Sequence, residues 1–152
     1  DRLAQGLIGR AEMRDLMLET YRSFVADDAP AFGAAIVAML DAHRRPLLVH
    51  CTAGKDRTGF VVALVHALLG VPQDRIVADY ATTNETWDRA SVGDLLRFDA
   101  DAIEPLLAAD PDYLDAAFAA IARIDGSVEG FLDRATAGRV PPDRFNAWIS
   151  EG

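Results

Sequence analysis

The chain has 152 residues, 51% hydrophobic and 26% charged, the balance of one folded domain rather than of a disordered segment. Its 24 acidic against 15 basic residues give a net charge of -9, which opposes general affinity for nucleic acid or an anionic membrane because the long-range field repels polyanions. A single cysteine excludes an intrachain disulfide, and no spacing of Cys and His resembles a zinc site, so neither staple supports the fold.

In chain order, apolar residues at Met13, Leu16, Met17, Tyr21 and Phe24 follow the spacing of one helix face and predict a helix from about residue 11 to 25. Asp27, Asp28 and Pro30 punctuate it, with the two aspartates read as helix-capping residues. Phe32, Ile36, Val37, Met39 and Leu40 continue as a second helix ending near His43, Arg44 and Arg45, cations suited to a helix C-terminus. Pro46-Leu47-Leu48-Val49-His50 is a continuous apolar run of the kind a buried parallel strand takes, and no other segment reads as convincingly as a strand.

From Thr58 to Leu69 the sequence is apolar on nearly every side, which predicts a buried helix closed by Gly70-Val71-Pro72. Helical spacing resumes from 73 to about 86. It is expected again near 99–108, 112–124, 128–136 and 142–149, separated by Asp110-Pro111, Gly126-Ser127 and the stretch from Gly138 to Pro142. No run approaches the roughly 20 apolar residues that span a bilayer, and the first residues, DRLAQGLIGRAEMRDLMLET, interleave charge too densely for a signal peptide.

One strand among helices is incomplete, since its backbone N–H and C=O groups need partners. The expected fold class is therefore α/β, mostly helical in this chain, with one core strand at 46–50 and further parallel strands upstream of Asp1. Residues 1–152 are read as a single domain, the C-terminal part of a larger catalytic domain.

The segment HCTAGKDRTG, residues 50–59, joins that strand to the buried helix and holds the only cysteine and the only lysine of the chain. A strand running into a glycine-containing turn and then a helix is a phosphate-binding layout, because backbone N–H groups and the positive helix end converge on one point. A nucleotide-binding loop G-x-x-x-x-G-K-[ST] is excluded, because its first glycine would fall on Val49 and Lys55 is followed by Asp56. The pattern H-C-x5-R-[ST] is filled at every position by His50, Cys51, Arg57 and Thr58.

Each residue has a physical task in that pattern. A nest of amides at a helix N-terminus lowers the Cys51 pKa and supplies the thiolate that attacks phosphorus. Arg57 offers a planar fork of donors to two phosphoryl oxygens, gaining most as charge develops in the transition state. Gly54 lets the backbone approach the oxyanion, and the Thr58 hydroxyl can donate to the sulfur and make it a better leaving group. Thr52, Ala53, Gly54, Lys55, Asp56 and Arg57 together form the expected substrate-binding arc. Lys55 reads either as a solvated side chain or as positive charge at the pocket mouth for polyanionic substrates. Asp56 reads either as a brace for the helix that follows or as the proton donor to the leaving group.

With these residues in place the chain resembles the cysteine-dependent protein tyrosine phosphatase superfamily. G-K-D-R-T is similar to its bacterial tyrosine and lipid phosphatases, secreted mycobacterial enzymes among them, and partly to eukaryotic phosphoinositide phosphatases. YRSF at 21–24, RPLLVHC at 45–51, TGFVVALV at 58–65, IVADYATTNE at 76–85 and GSVEGFL at 126–132 also resemble that group, while 87–110 is least alike. The resemblance implies that His50 orients the loop, and that a carboxylate implicated as general acid lies upstream of the region matching Tyr21.

The function expected is metal-free hydrolysis of phosphomonoesters through a phosphocysteine, on phosphotyrosine proteins, with dual specificity or phosphoinositide activity if the pocket is shallow. No cofactor, nucleic-acid partner or stable membrane insertion is expected, and the location is cytoplasmic or secreted. A catalytically weak module that only holds phosphorylated partners is the alternative, and sulfur transfer or arsenate reduction a third class. Asp79, Tyr80 and Asn84 follow the helix behind the loop and are read as structural before functional. His43 and His66 are read as a helix-end cation and a packed helix residue.

Overall fold

The computed structural model describes residues 6–41, 46–88, 92–93, 95–141, 144 and 147. They form helices α1 (Arg10–Ala26), α2 (Ala29–Leu40), α3 (Asp56–Leu68), α4 (Gln73–Ala81), the single turn α5 (Thr83–Thr86), α6 (Ala100–Leu107), α7 (Pro111–Ile124) and α8 (Val128–Thr136), with a 3-10 turn at Leu95–Arg97. The helix expected at 142–149, and the residues 43–45 expected to end the second helix, fall largely outside the described residues. The continuous helix expected from 73 to 86 is broken at Thr82, which separates α4 from α5.

α1 presents Met13, Met17, Tyr21 and Phe24 to the core along one stripe, while Leu16, one step round the helix, is 48% exposed. α1 packs on α6 and α7, and α2 packs on α8. α3 packs on α2, α4 and α8, buried through Phe60, Val61, Ala63, Leu64 and Val65 as its apolar sequence requires. Phe60 is the centre of the core, with its ring 4.8 Å from Phe32, 5.8 Å from Phe24 and 6.2 Å from Phe131. Asp99, Asp110 and Ser127 cap α6, α7 and α8 through their side chains, accepting from the amides of Ala102, Asp112 and Gly130. Arg10 bridges to Asp101 and Glu104, and Arg14 to Asp112, across the rim where α1 meets α6 and α7.

Residues 46–50 depart from expectation. They carry no regular structure, and no strand is found among the described residues. Leu47 is 42% and Leu48 82% exposed, while only Val49 packs against the core. An apolar run becomes a buried strand only where neighbouring strands pair its backbone, and none of the described residues does so. No single helix among them is long and apolar enough to cross a membrane. α1 and α2 pass that test only as a pair bent by 65°, with their apolar stripes buried in the core.

Candidate active site

The loop between Val49 and α3 turns at Gly54, whose φ of 70° lies in the left-handed region that strains any other residue. A Cβ there would meet nothing within 4 Å, so among the described atoms the backbone turn, not crowding, calls for glycine. The turn aims the amides of Gly54, Lys55 and Thr58 at the Cys51 sulfur, and the Thr58 hydroxyl also reaches it. That same hydroxyl accepts from the Cys51 N–H at 2.9 Å, which leaves its own proton available to the sulfur. Partial burial pushes the thiol pKa up, but the hydrogen bonds from Thr58, Gly54 and Lys55 outweigh it and bring the thiol down to about 7. The lowering comes from amide and hydroxyl donors and favours the thiolate.

Alkylation of Cys51 by iodoacetamide should therefore rise with pH through a midpoint near 7, because only the thiolate reacts. In Thr58→Ala the midpoint should move up toward the free-thiol value of about 8.5. A wild-type midpoint already at that value would contradict the convergence of donors on the sulfur.

Arg57, on the first turn of α3, lines with Cys51, Thr58, His50 and Asp28 a cleft of about 250 Å³ whose far wall is Phe32, Ala35, Val49 and Val61. Its guanidinium makes no hydrogen bond or ion pair among the described residues, so its donors are uncommitted. The His50 ring places Nδ1 3.1 Å from the Cys51 carbonyl, a contact in which the N–H donates. Thr52 is exposed on the arc, and Ala53 offers its carbonyl to the Trp87 indole N–H at 2.8 Å.

Lys55 is not at the pocket mouth. It is 2% exposed, and its ammonium donates to Asp56 Oδ1 at 2.6 Å and to the Ala108 carbonyl at 2.9 Å, with the Trp87 ring 5.9 Å away. Two acceptors and an aromatic face compensate the buried charge, which is what its desolvation demands. Asp56 accepts at the same oxygen from the Tyr21 hydroxyl at 3.0 Å. Tyr21 has one proton and gives it to Asp56, so in the 2.6 Å contact between the two hydroxyls Tyr80 is the donor. Burial, with Tyr80 and Asp56 nearby, pushes the Tyr21 hydroxyl far above its usual range, which keeps this chain neutral and intact at ordinary pH. Lys55 and Asp56 thus hold the loop from behind.

Asn84 completes the brace by exchanging two bonds with the Ala109 backbone, 3.0 Å to its carbonyl and 2.7 Å from its N–H. Asp79 lies 3.8 Å from His66, and Tyr80 is buried, as a structural role requires. His43 is outside the described residues. Trp87, Ala108 and Ala109 were not legible as loop supports, because two of them act through backbone carbonyls that any residue carries. Among the described residues no group of three or more His, Cys, Asp or Glu is arranged to hold a metal ion.

A thiol ringed by amides, with an uncommitted guanidinium in the same cleft and a helix N-terminus behind it, defines an anion-binding loop with an activated nucleophile. The profile of the tyrosine phosphatase family matches residues 1–139, and the chain belongs to that family. It is 35% identical over 145 residues to the triple specificity protein phosphatase PtpB of Mycobacterium tuberculosis, covering 85% of this chain and 52% of the relative. It is 38% identical over 127 residues to a protein of Cupriavidus necator whose name assigns it, provisionally, to the tyrosine-protein phosphatases, covering 80% and 46%. A tyrosine-protein phosphatase of Nostoc commune is 37% identical over 67 residues, covering 44% and 23%. The chain thus spans about half the length of the first two of these curated relatives. Membership carries with it a phosphatase-type α/β fold, of which the described residues supply the helical part.

Proposed function

We propose that this chain carries the nucleophile and the phosphate cradle of a protein tyrosine phosphatase that hydrolyses phosphomonoesters through a phosphocysteine. The observation that supports it most directly is the convergence of three amides and one hydroxyl on the Cys51 sulfur beside the uncommitted Arg57. The thiolate attacks phosphorus in line, and the alcohol or phenol leaves. Arg57 takes two of the equatorial oxygens while Gly54 and Lys55 supply backbone donors. Water then displaces the thiolate, whose departure the Thr58 hydroxyl eases.

Phosphotyrosine proteins are the proposed substrates. The name of the mycobacterial relative speaks of three specificities, which supports a wider range here, with phosphoserine, phosphothreonine or phosphoinositides included. With Lys55 turned inward, its contribution to binding on this reading is the backbone amide and the shape of the arc. Residues 1–152 are proposed to belong to one catalytic domain, in which 46–50 becomes a strand through partners outside the described residues.

The test is hydrolysis of an aryl phosphate by the chain in EDTA, with Cys51→Ser as control. Turnover is expected in the wild type and its loss in Cys51→Ser. Turnover that survives the substitution would remove Cys51 from the reaction, and tight phosphopeptide binding without turnover would make the chain a binding module.

A further inference from the structure

The Gly54 amide is one of the donors that converge on the Cys51 sulfur, and it shares a peptide group with the Ala53 carbonyl. A trans peptide is planar, with its C=O and N–H on opposite sides. Whichever way the Ala53 carbonyl points, the Gly54 N–H therefore points the other way. The backbone by itself does not settle the choice. Turning this plane over rotates φ of Gly54, which is 70° here, into negative values, and glycine takes either sign about as readily. Crowding does not settle it either, since a Cβ at Gly54 would meet nothing within 4 Å.

Trp87 acts from outside the loop. Its indole N–H donates to the Ala53 carbonyl at 2.8 Å, which holds the outer end of the plane so that the inner end, the Gly54 N–H, faces the sulfur. The same ring lies 5.9 Å from the Lys55 ammonium, so one side chain meets the residues on both sides of Gly54. Trp87 is itself anchored. Its backbone N–H donates to the Thr83 carbonyl at 2.9 Å and closes α5, while Asn84 in that turn exchanges its two bonds with Ala109. Lys55 reaches Ala108 at the same α6–α7 corner, so the indole and the ammonium approach the loop from one base. Trp87 is half-buried and opens the stretch 87–110 that is least like the bacterial phosphatases, so the resemblance of the loop did not call for it.

We propose that Trp87 is a positioning residue of the phosphatase site: by holding the Ala53 carbonyl outward it keeps the Gly54 amide turned in, toward the sulfur and toward a bound phosphoryl group. The proposal deepens the function proposed above and rests on it for its kinetic consequence, whereas the effect on the thiol needs no turnover. Without the indole N–H, the plane turns over in part of the population and an acceptor replaces a donor beside Cys51. A carbonyl oxygen there opposes both the thiolate and the phosphoryl dianion. The charged and titratable groups around the sulfur are His50, Arg57 and Asp28 in the cleft, with Lys55 and Asp56 paired behind the loop, and a substitution at position 87 alters none of them.

Two replacements separate the N–H from the bulk of the ring. Trp87→Phe keeps an aromatic face for Lys55, and benzothienylalanine at position 87 removes the N–H alone, because sulfur takes its place in a ring of nearly the same shape. In both, the midpoint for alkylation of Cys51 by iodoacetamide should rise from near 7 toward the free-thiol value of about 8.5. The rise should be smaller than in Thr58→Ala, since the Thr58 hydroxyl is the stronger of the two influences on the thiol. For phenyl phosphate, kcat should fall about five- to tenfold, the factor that one neutral hydrogen bond contributes to an equilibrium. Wild-type midpoint and kcat in the benzothienylalanine protein would overturn the proposal, because the indole would then only pack, whatever Trp87→Phe had lost. A wild type without turnover would remove the phosphatase reading, while the alkylation midpoints would still decide for or against Trp87.

Discussion

Replacing Arg57 with lysine is expected to lower kcat for an aryl phosphate by about 10² to 10³, the size of effect seen when one transition-state donor is removed. The charge is conserved in this variant, so the loss isolates geometry. A guanidinium presents parallel N–H donors at a fixed spacing that matches two phosphoryl oxygens, whereas an ammonium is a point charge on a flexible stem. Arg57 suits this comparison because its side chain has no hydrogen bond or ion pair among the described residues. The substitution breaks no structural bond, and melting temperature should hardly move. KM should change less than kcat, because the fork gains most once the equatorial oxygens carry their full charge. Equal kcat in wild type and Arg57→Lys would mean that Arg57 contributes only bulk charge, and the bidentate role would be lost.

The largest expected effect on stability lies away from the loop, at Gly33. It is buried in α2 where that helix meets α8, and a Cβ built there would overlap the backbone carbonyl of Ala135. A flexible side chain could rotate aside, but a backbone carbonyl within a helix cannot. Gly33→Ala must then push α2 and α8 apart at the contact that carries Phe32 and Ile36 on one side and Phe131 and Leu132 on the other. Overpacking of this kind costs about 3 kcal/mol, enough to lower the melting temperature by about 10 °C in a domain of this size. Ala34→Ser, on the exposed face of the same helix, is the control and should shift it by no more than about 2 °C. A Gly33→Ala protein that melts with the wild type would show that the two helices can separate at no cost.

The nucleophile, its partner arginine and the helix behind them were legible because their chemistry is local. Cys51 through Thr58 are contiguous, so a positive φ at Gly54 and a helix start at Asp56 turn the amides toward the sulfur within a few residues, and distant residues such as Trp87 and Ala108 brace that turn. The helices over 99–108, 112–124 and 128–136 were legible for a similar reason, since spacing and caps are set within a few residues. Lys55 was harder. Sequence placed a cation in an anion-binding loop, but its direction depends on Ala108, more than fifty residues away, whose carbonyl the ammonium reaches inside the fold.

Residues 46–50 and Asp28 show where local reading ends. An apolar run states a preference for burial, and Leu48 at 82% exposure has no neighbouring strand among the described residues to satisfy it. Asp28 sits where a cap is expected, yet the chain direction at the α1–α2 corner leaves its side chain off the first turn and at the edge of the Cys51 cleft. The sequence by itself determined the reactive loop, because a thiolate, its amides and its guanidinium need only eight consecutive residues to meet. Which carboxylate stands free beside them, and which cation turns inward, only the tertiary structure decided, because those depend on segments far apart in the chain, such as Lys55 and Ala108, that meet only in the fold.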